Sequence, residues 1–262
     1  MDHWILVEYH GAWGRDAVDA SRLTPEVKAH LAERVRALRP AKLLFIRRRE
    51  RRPGDIHVFW GRSGERAAWL SGTVIDGYKD LIGLDFEDPG EASPRPLFLV
   101  CTHGKHDACC ARRGVPLFEA LRELVDEGGV WQSSHVGGDR FAGNVVCLPE
   151  GVYYGRMEPS DVLGLLEAHL AGRIYPERYR GRSCYSFPVQ AAERAVRESS
   201  GCLDLDGLEL VSTSPIRFRA ARTVYEIEAI REEGELAHLT CDSEHLSRPR
   251  RYVARILRES AA

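Results

Sequence analysis

Apolar and polar positions along the chain repeat one order of elements twice. Ile5, Leu6 and Val7 mark a strand over residues 4–9. Residues 25–38 then carry Val27, Leu31, Val35 and Leu38 at helical spacing, with Thr24 as N-cap before Pro25. Two short apolar runs, 43–46 and 56–60, complete a β-α-β-β series. The second series starts with the strand 96–100, which delivers Cys101 to the loop 102–110. A helix through 117–125, a strand at 130–134, a turn at 135–139 and a hairpin of 144–149 with 152–156 follow. Beyond it, Val162, Leu165, Leu166 and Leu170 predict a helix over 160–170, capped by Ser160 and covering the sheet. From about Tyr179 the pattern changes to a helix over 188–198 and strands at 208–212, 224–230, 236–241 and 252–256.

Two fragments recur along this pattern. Leu6-Val7-Glu8-Tyr9-His10-Gly11 answers Leu99-Val100-Cys101-Thr102-His103-Gly104 at an offset of 93 residues, and the stretch from His57 to Arg62 answers that from Gly151 to Arg156 at an offset of 94. They suggest an internal duplication: residues 1–90 as a unit without ligands, 91–178 as the unit with chemistry, and 179–262 as a small α+β appendage. In the first copy Glu8 stands where Cys101 stands, and there is no cysteine before Cys101.

The chemistry collects in the second copy. Cys101, Cys110, His135 and Asp139 are soft-metal or iron ligands placed at loop ends on one edge of a sheet. Gly137 and Gly138 allow a tight turn between the last two. Cys109 and His106 are alternates, because vicinal cysteines can each serve and His106 lies three residues before Cys109. His103 shares its place with His10 of the ligand-free half and is read as a structural loop residue. His3, His30, His57, His169, His238 and His245 show no ligand spacing, and Cys184, Cys202 and Cys241 are read as structural thiols. Two cysteines, a histidine and a carboxylate also suit zinc, which would make the chain a zinc-stabilised binding module without redox activity.

The pattern Cys-x8-Cys, then His-x3-Asp within His135-Val136-Gly137-Gly138-Asp139-Arg140-Phe141-Ala142-Gly143-Asn144, then Leu148-Pro149-Glu150-Gly151-Val152-Tyr153-Tyr154-Gly155, resembles the sucrase/ferredoxin-like family. That family is related to the thioredoxin-like [2Fe-2S] ferredoxins. The resemblance implies a mixed α/β, thioredoxin-like ferredoxin fold. It implies an electron carrier with a [2Fe-2S] cluster held by Cys101, Cys110, His135 and Asp139, and it favours Cys110 over Cys109. In the ferredoxins Cys-x3-Cys occupies the place of His135 and Asp139, and many family members have His-x3-His, so Asp139 is a departure. The specific match covers residues 98–156.

Composition narrows the classes. A formal net charge of −2 argues against a general nucleic-acid or membrane-surface role. No stretch approaches the roughly 18 apolar residues of a membrane span. Met1-Asp2-His3-Trp4 lacks the basic and long apolar regions of a signal peptide, so the expected location is cytoplasmic. Seven cysteines in reducing surroundings favour metal or cluster use over disulfides. No Cys-x-x-Cys motif exists for thioredoxin-type exchange. Nothing singles out the opposed carboxylate pair that glycoside hydrolysis requires. The basic run Arg47, Arg48, Arg49, Arg51 and Arg52, interrupted by Glu50, reads as a hairpin loop: a solvated turn, or a docking patch for an acidic redox partner.

Overall fold

The computed structural model describes residues 2–50, 54–90, 96–126, 128–240 and 243–261. Its architecture is mixed α/β, as expected. The chain starts with β1 (His3–Glu8), α1 (Pro25–Ala37), β2 (Ala41–Arg47), β3 (Ile56–Arg62) and β4 (Trp69–Ile75). It repeats with β5 (Leu97–Cys101), α2 (Ala108–Leu124), β6 (Val130–Ser133), β7 (Val145–Leu148) and β8 (Val152–Tyr154). Then come α3 (Val162–Leu170) and β9 (Tyr179–Arg182). Strands β1 to β9 form one sheet in the order β4-β3-β1-β2-β6-β5-β7-β8-β9.

The two series occupy mirrored places in this sheet. β1 is parallel to β2 and antiparallel to β3; β5 is parallel to β6 and antiparallel to β7. They join where β2 runs antiparallel to β6 through Ile46 opposite Ser133 and Arg47 opposite Gln132. Hence β1 answers β5, as the first repeated fragment suggests. The second fragment sets β3 against β8, whereas the place of β3 in the sheet is that of β7.

β5 and β7 are buried along their whole length, the mark of strands covered on both faces. One face packs beneath α2 and α3 around Phe98, Val100, Leu117, Phe118 and Leu165; Ile5, Val7, Val27, Leu31 and Phe45 pack beneath α1. The other face is shared: Trp4, Leu6 and Leu44 meet Leu97, Leu99 and Val146. The sheet therefore curls, so that Trp4 on β1 lies 6.2 Å from Tyr153 on β8. Ser63 closes the curl, accepting from Trp4 Nε1 at 2.8 Å and donating to the Pro149 carbonyl at 2.6 Å.

After β9, α4 (Phe187–Ser200) packs on a second sheet of β10 (Leu208–Thr213), β11 (Ile216–Ala220), β12 (Thr223–Glu233) and β15 (Arg250–Ala261). β13 (Ala237–His238) and β14 (Leu246–Ser247) form a short separate ladder.

Several local expectations change. β4 escapes the pattern because Gly72 interrupts it; the Phe59 ring lies 2.6 Å from where a Cβ would sit. β9 and β11 are also additional strands. Ser160 sits inside a 3-10 turn, Pro159–Asp161, so the N-cap of α3 is Asp161. The strand expected at 236–241 is reduced to β13, and Cys241 lies outside the described residues.

Where β1 ends, the first copy has built an ion-pair cluster. Glu8 faces Ile46 across the parallel pair as Cys101 faces Ser133, which makes Arg48 the positional counterpart of His135. Glu8 is 1% exposed. It accepts from Arg48 at 3.2 and 3.3 Å, from the His57 backbone N–H at 3.1 Å, and meets His57 Nδ1 at 2.9 Å. Burial raises its pKa, but the His57 and Arg48 contacts outweigh that and hold it at about 2. Its ionised form therefore stabilises the fold fully above the usual carboxylate range, and that contribution is lost as pH falls from 4.5 toward 2. Glu8→Gln should cost about 3 kcal/mol at pH 7, because it leaves Arg48 buried without its charge partner. Urea unfolding at pH 7 and near pH 2.5 checks the sign: the gap between wild type and variant should shrink in acid.

Candidate metal centre

Cys101 is the last residue of β5 and is fully buried. The loop after it holds Asp107, whose carboxylate accepts from the Cys109 backbone N–H at 2.7 Å and caps α2. That cap starts the helix so that Cys110, also fully buried, turns toward Cys101. Across the parallel pair, the chain leaves β6 through Ser134 and reaches His135. Its Nδ1 lies 3.9 Å from Cys101 Sγ and 3.8 Å from Cys110 Sγ, and one donor atom from each of the three residues falls within 4.8 Å of the others.

The two thiols share charge unequally. The hydrogen bond from Cys110 holds Cys101 well below the usual thiol range; burial opposes this, while His135 and the backbone N–H groups of His103 and Val136 assist. The same bond, with burial and the Cys101 charge, pushes Cys110 up. The arrangement therefore favours ionisation of Cys101 over that of Cys110.

Asp139 meets the other side of the imidazole, with Oδ1 3.2 Å from His135 Nε2. That oxygen is buried and has no hydrogen-bonding partner in good geometry. An orphaned carboxylate oxygen next to a ring nitrogen fits a site that receives a cation. His106 belongs to this second side: its ring stacks on His135 at 3.9 Å, and His106, His135 and Asp139 form another donor group within 4.8 Å. Cys109 is disulfide-bonded, against the expectation that the cysteines avoid disulfides, so it is not a free thiol of this group, although it lines a cavity together with Asp139. His103 has both ring nitrogens occupied, Nδ1 accepting from the His135 backbone N–H at 3.2 Å and Nε2 facing the Gly14 carbonyl at 2.6 Å. It ties the first copy to the ligand loop.

Residues without a sequence signal shape that loop. Gly137 and Gly138 take φ of 102° and 83°, in the left-handed region that favours glycine. Arg180 lies 2.6 Å from where a Gly138 Cβ would stand, so a side chain there would displace it. Arg180 donates to Asn144 Oδ1 at 2.7 Å, and Asn144 donates to the Gly138 carbonyl at 3.0 Å. Lys42 reaches over from the first copy to the Val136 carbonyl at 2.5 Å. Gly114, in the middle of α2, lets the helix rest directly on the Cys101 carbonyl. None of the four stands out before the fold brings them together.

The described part of the basic run is partly engaged by the fold. Arg47 lies 4.0 Å over the Trp13 ring, Arg48 is committed to Glu8, and Arg49 pairs with Glu119 at 2.6 Å. Arg51 and Arg52 lie outside the described residues.

These features define a mixed α/β protein with a buried cysteine-histidine donor group suited to a metal or iron-sulfur centre. The chain belongs to the Sucrase/ferredoxin-like family, whose model matches residues 1–181. It is 36% identical over 95 residues to Altered inheritance of mitochondria protein 32 of Meyerozyma guilliermondii, covering 32% of this chain and 34% of that protein. The protein of the same name from Debaryomyces hansenii is 32% identical over 119 residues, 42% of each chain. These matches therefore span less than half of the curated relatives. Among solved structures, the wild-type thioredoxin-like [2Fe-2S] ferredoxin from Aquifex aeolicus superposes with a TM-score of 0.31 at 21% identity, covering 34% of this chain and all of that one. Among the described residues no helix is long and apolar enough to cross a membrane.

The contact between α2 and β5 yields a direct test. Gly114→Ala places a methyl group against the Cys101 backbone and should cost roughly 1–3 kcal/mol by overpacking. It should also lower metal or cluster uptake, measured as bound metal per chain, more than Gly83→Ala does, since nothing lies within 4 Å of a Cβ at Gly83.

Proposed function

We propose that the chain is an electron carrier that holds a [2Fe-2S] cluster. The observation that carries this reading is the convergence of two buried cysteines, one poised as thiolate, with His135, in a member of a ferredoxin-like family. Cys101 and Cys110 would bind one iron, and His135 with Asp139 the other. The 3.2 Å approach of Asp139 to His135 Nε2 supports that second pair, because two donors at about 2 Å from one tetrahedral ion stand roughly this far apart. A bound cluster supplies one-electron transfer at a potential set by its ligands and their surroundings. The chain's own part is to hold the donors and keep water from them. Gly137 and Gly138 supply the left-handed turn that carries the chain from His135 to Asp139.

A second reading is zinc bound by Cys101, Cys110 and His135 Nδ1, with Asp139 orienting the ring through Nε2. The 3.8 and 3.9 Å separations favour it, being close to the edge of a tetrahedron around one ion. The readings differ in which imidazole nitrogen binds.

For the electron-carrier reading we place the partner among redox proteins with an acidic face. Arg47 and Arg48 are engaged inside the fold, and Arg49, 56% exposed and paired with Glu119, is the described arginine of the basic run that such a partner would meet. Such exchange is compatible with a cytoplasmic location.

Anaerobic purification followed by a visible spectrum and iron, sulfide and zinc analysis tests the proposal. Two irons and two sulfides per chain with charge-transfer absorption are expected; stoichiometric zinc without sulfide would replace the cluster by the second reading. Cys101→Ser and Cys110→Ser should each abolish cluster binding, while Cys109→Ser retains most of it. Loss confined to Cys109→Ser would refute this ligand assignment.

A further inference from the structure

On the far side of the His135 loop lies a cavity of about 640 Å³, bounded by Lys42, Gly137, Gly138, Tyr153 and the start of α4. That is within the usual range of roughly 300–1,000 Å³ for small-molecule sites. Three cations, Lys42, Arg140 and Arg180, line it, and no carboxylate does. Among the described residues none of the three makes an ion pair within 4.0 Å. Arg180 is further burdened: burial and the neighbouring Arg140 and Arg156 lower its pKa to about 10, with Tyr153 opposing. Lys42 has the Cys101 and Asp139 charges near it, but Arg140 and Arg180 are gathered beside it without an ion-pair partner among the described residues, which is costly.

The remaining walls indicate what kind of anion. Phe141, Tyr153, Tyr185 and Phe187 present aromatic surface around the same space. Arg180 lies 4.3 Å from the Phe141 ring centroid and 5.6 Å from that of Tyr153, which holds the guanidinium flat against one wall. Phe187, 73% exposed, stands at the rim of this space as the first residue of α4, a helix of 14 residues. Pro188 follows it without an N–H and the Gln190 N–H is bonded to the Ser186 carbonyl, so the start of α4 contributes the positive end of its dipole rather than a set of N–H donors.

We infer that this cavity binds a small aromatic phosphate of nucleotide size, its dianion among Arg180, Arg140 and Lys42 and its ring against Phe187 and Tyr185. A phosphate matches the converging cations, and a planar ring matches the aromatic rim. The site does not depend on the cluster reading, because none of these groups is a proposed ligand.

Equilibrium dialysis against matched pairs tests the inference: flavin mononucleotide with riboflavin, and AMP with adenosine, together with inorganic phosphate alone. It is run on metal-free and on iron-reconstituted full-length chain, so that failure to form a cluster leaves the binding result readable. At least one of the two phosphates should bind ten times or more tighter than its neutral partner and than inorganic phosphate. Arg180→Gln should remove that preference. Since Arg180 also supports Asn144, Phe187→Ala provides the variant that spares the fold; it should weaken the phosphate several-fold. The inference is overturned if neither phosphate binds, if neutral and phosphorylated partners bind alike, if inorganic phosphate binds as tightly, or if Phe187→Ala changes nothing. In the third case the cations form a plain anion site, and in the first they merely balance charge near the thiolates.

Discussion

A cysteine buried at the end of a fully covered strand, its ionised form favoured by its neighbours, is the constraint on which this structure turns. Cys101 has no exposed surface, and β5 is packed on both faces, so water does not solvate a charge there. Compensation must come from fixed donors: the Cys110 thiol, the His135 ring and two backbone N–H groups. Each is delivered by a different device. The Asp107 cap starts α2 in the right phase, Gly114 lets that helix press onto the strand, and the parallel partner β6 carries the chain to His135.

The first copy meets the same constraint with other chemistry. At the place of Cys101 it has Glu8, equally buried, and at the place of His135 it has Arg48. A carboxylate needs no metal when a guanidinium and an imidazole surround it, so this end of the sheet closes as a self-contained ion pair. The thiol end keeps an acceptor without a well-aligned partner, Asp139 Oδ1, beside a cysteine-histidine group of the kind that holds metal ions.

The curled sheet then gives the two copies separate tasks around one loop. Lys42 comes from the first copy, Arg180 and the start of α4 come from the C-terminal part, and both hold or border the Val136 to Gly138 backbone. Rigidity at the donor group and an open, cationic cavity behind it are therefore products of the same packing.

The order β-α-β-β, the ends of α1 and the convergence of Cys101 and Cys110 on His135 were legible in the chain, because apolar period, a Thr24-Pro25 helix start and loop-end spacing are local properties. The family, too, was legible from the residues around the cysteines. Strand β4 was hidden by Gly72, whose need arises from Phe59 on a neighbouring strand. The fate of Arg48 was equally invisible: nothing near it in the chain announces Glu8, 40 residues away, as its partner. Lys42, Asn144 and Arg180 carry no signal because their role depends on a sheet that curls and on strands joined between copies. Periodicity fixes which face of an element is apolar. Only packing decides which polar side chains are left facing one another, since those contacts join residues far apart in the chain and rest on the final register of strands.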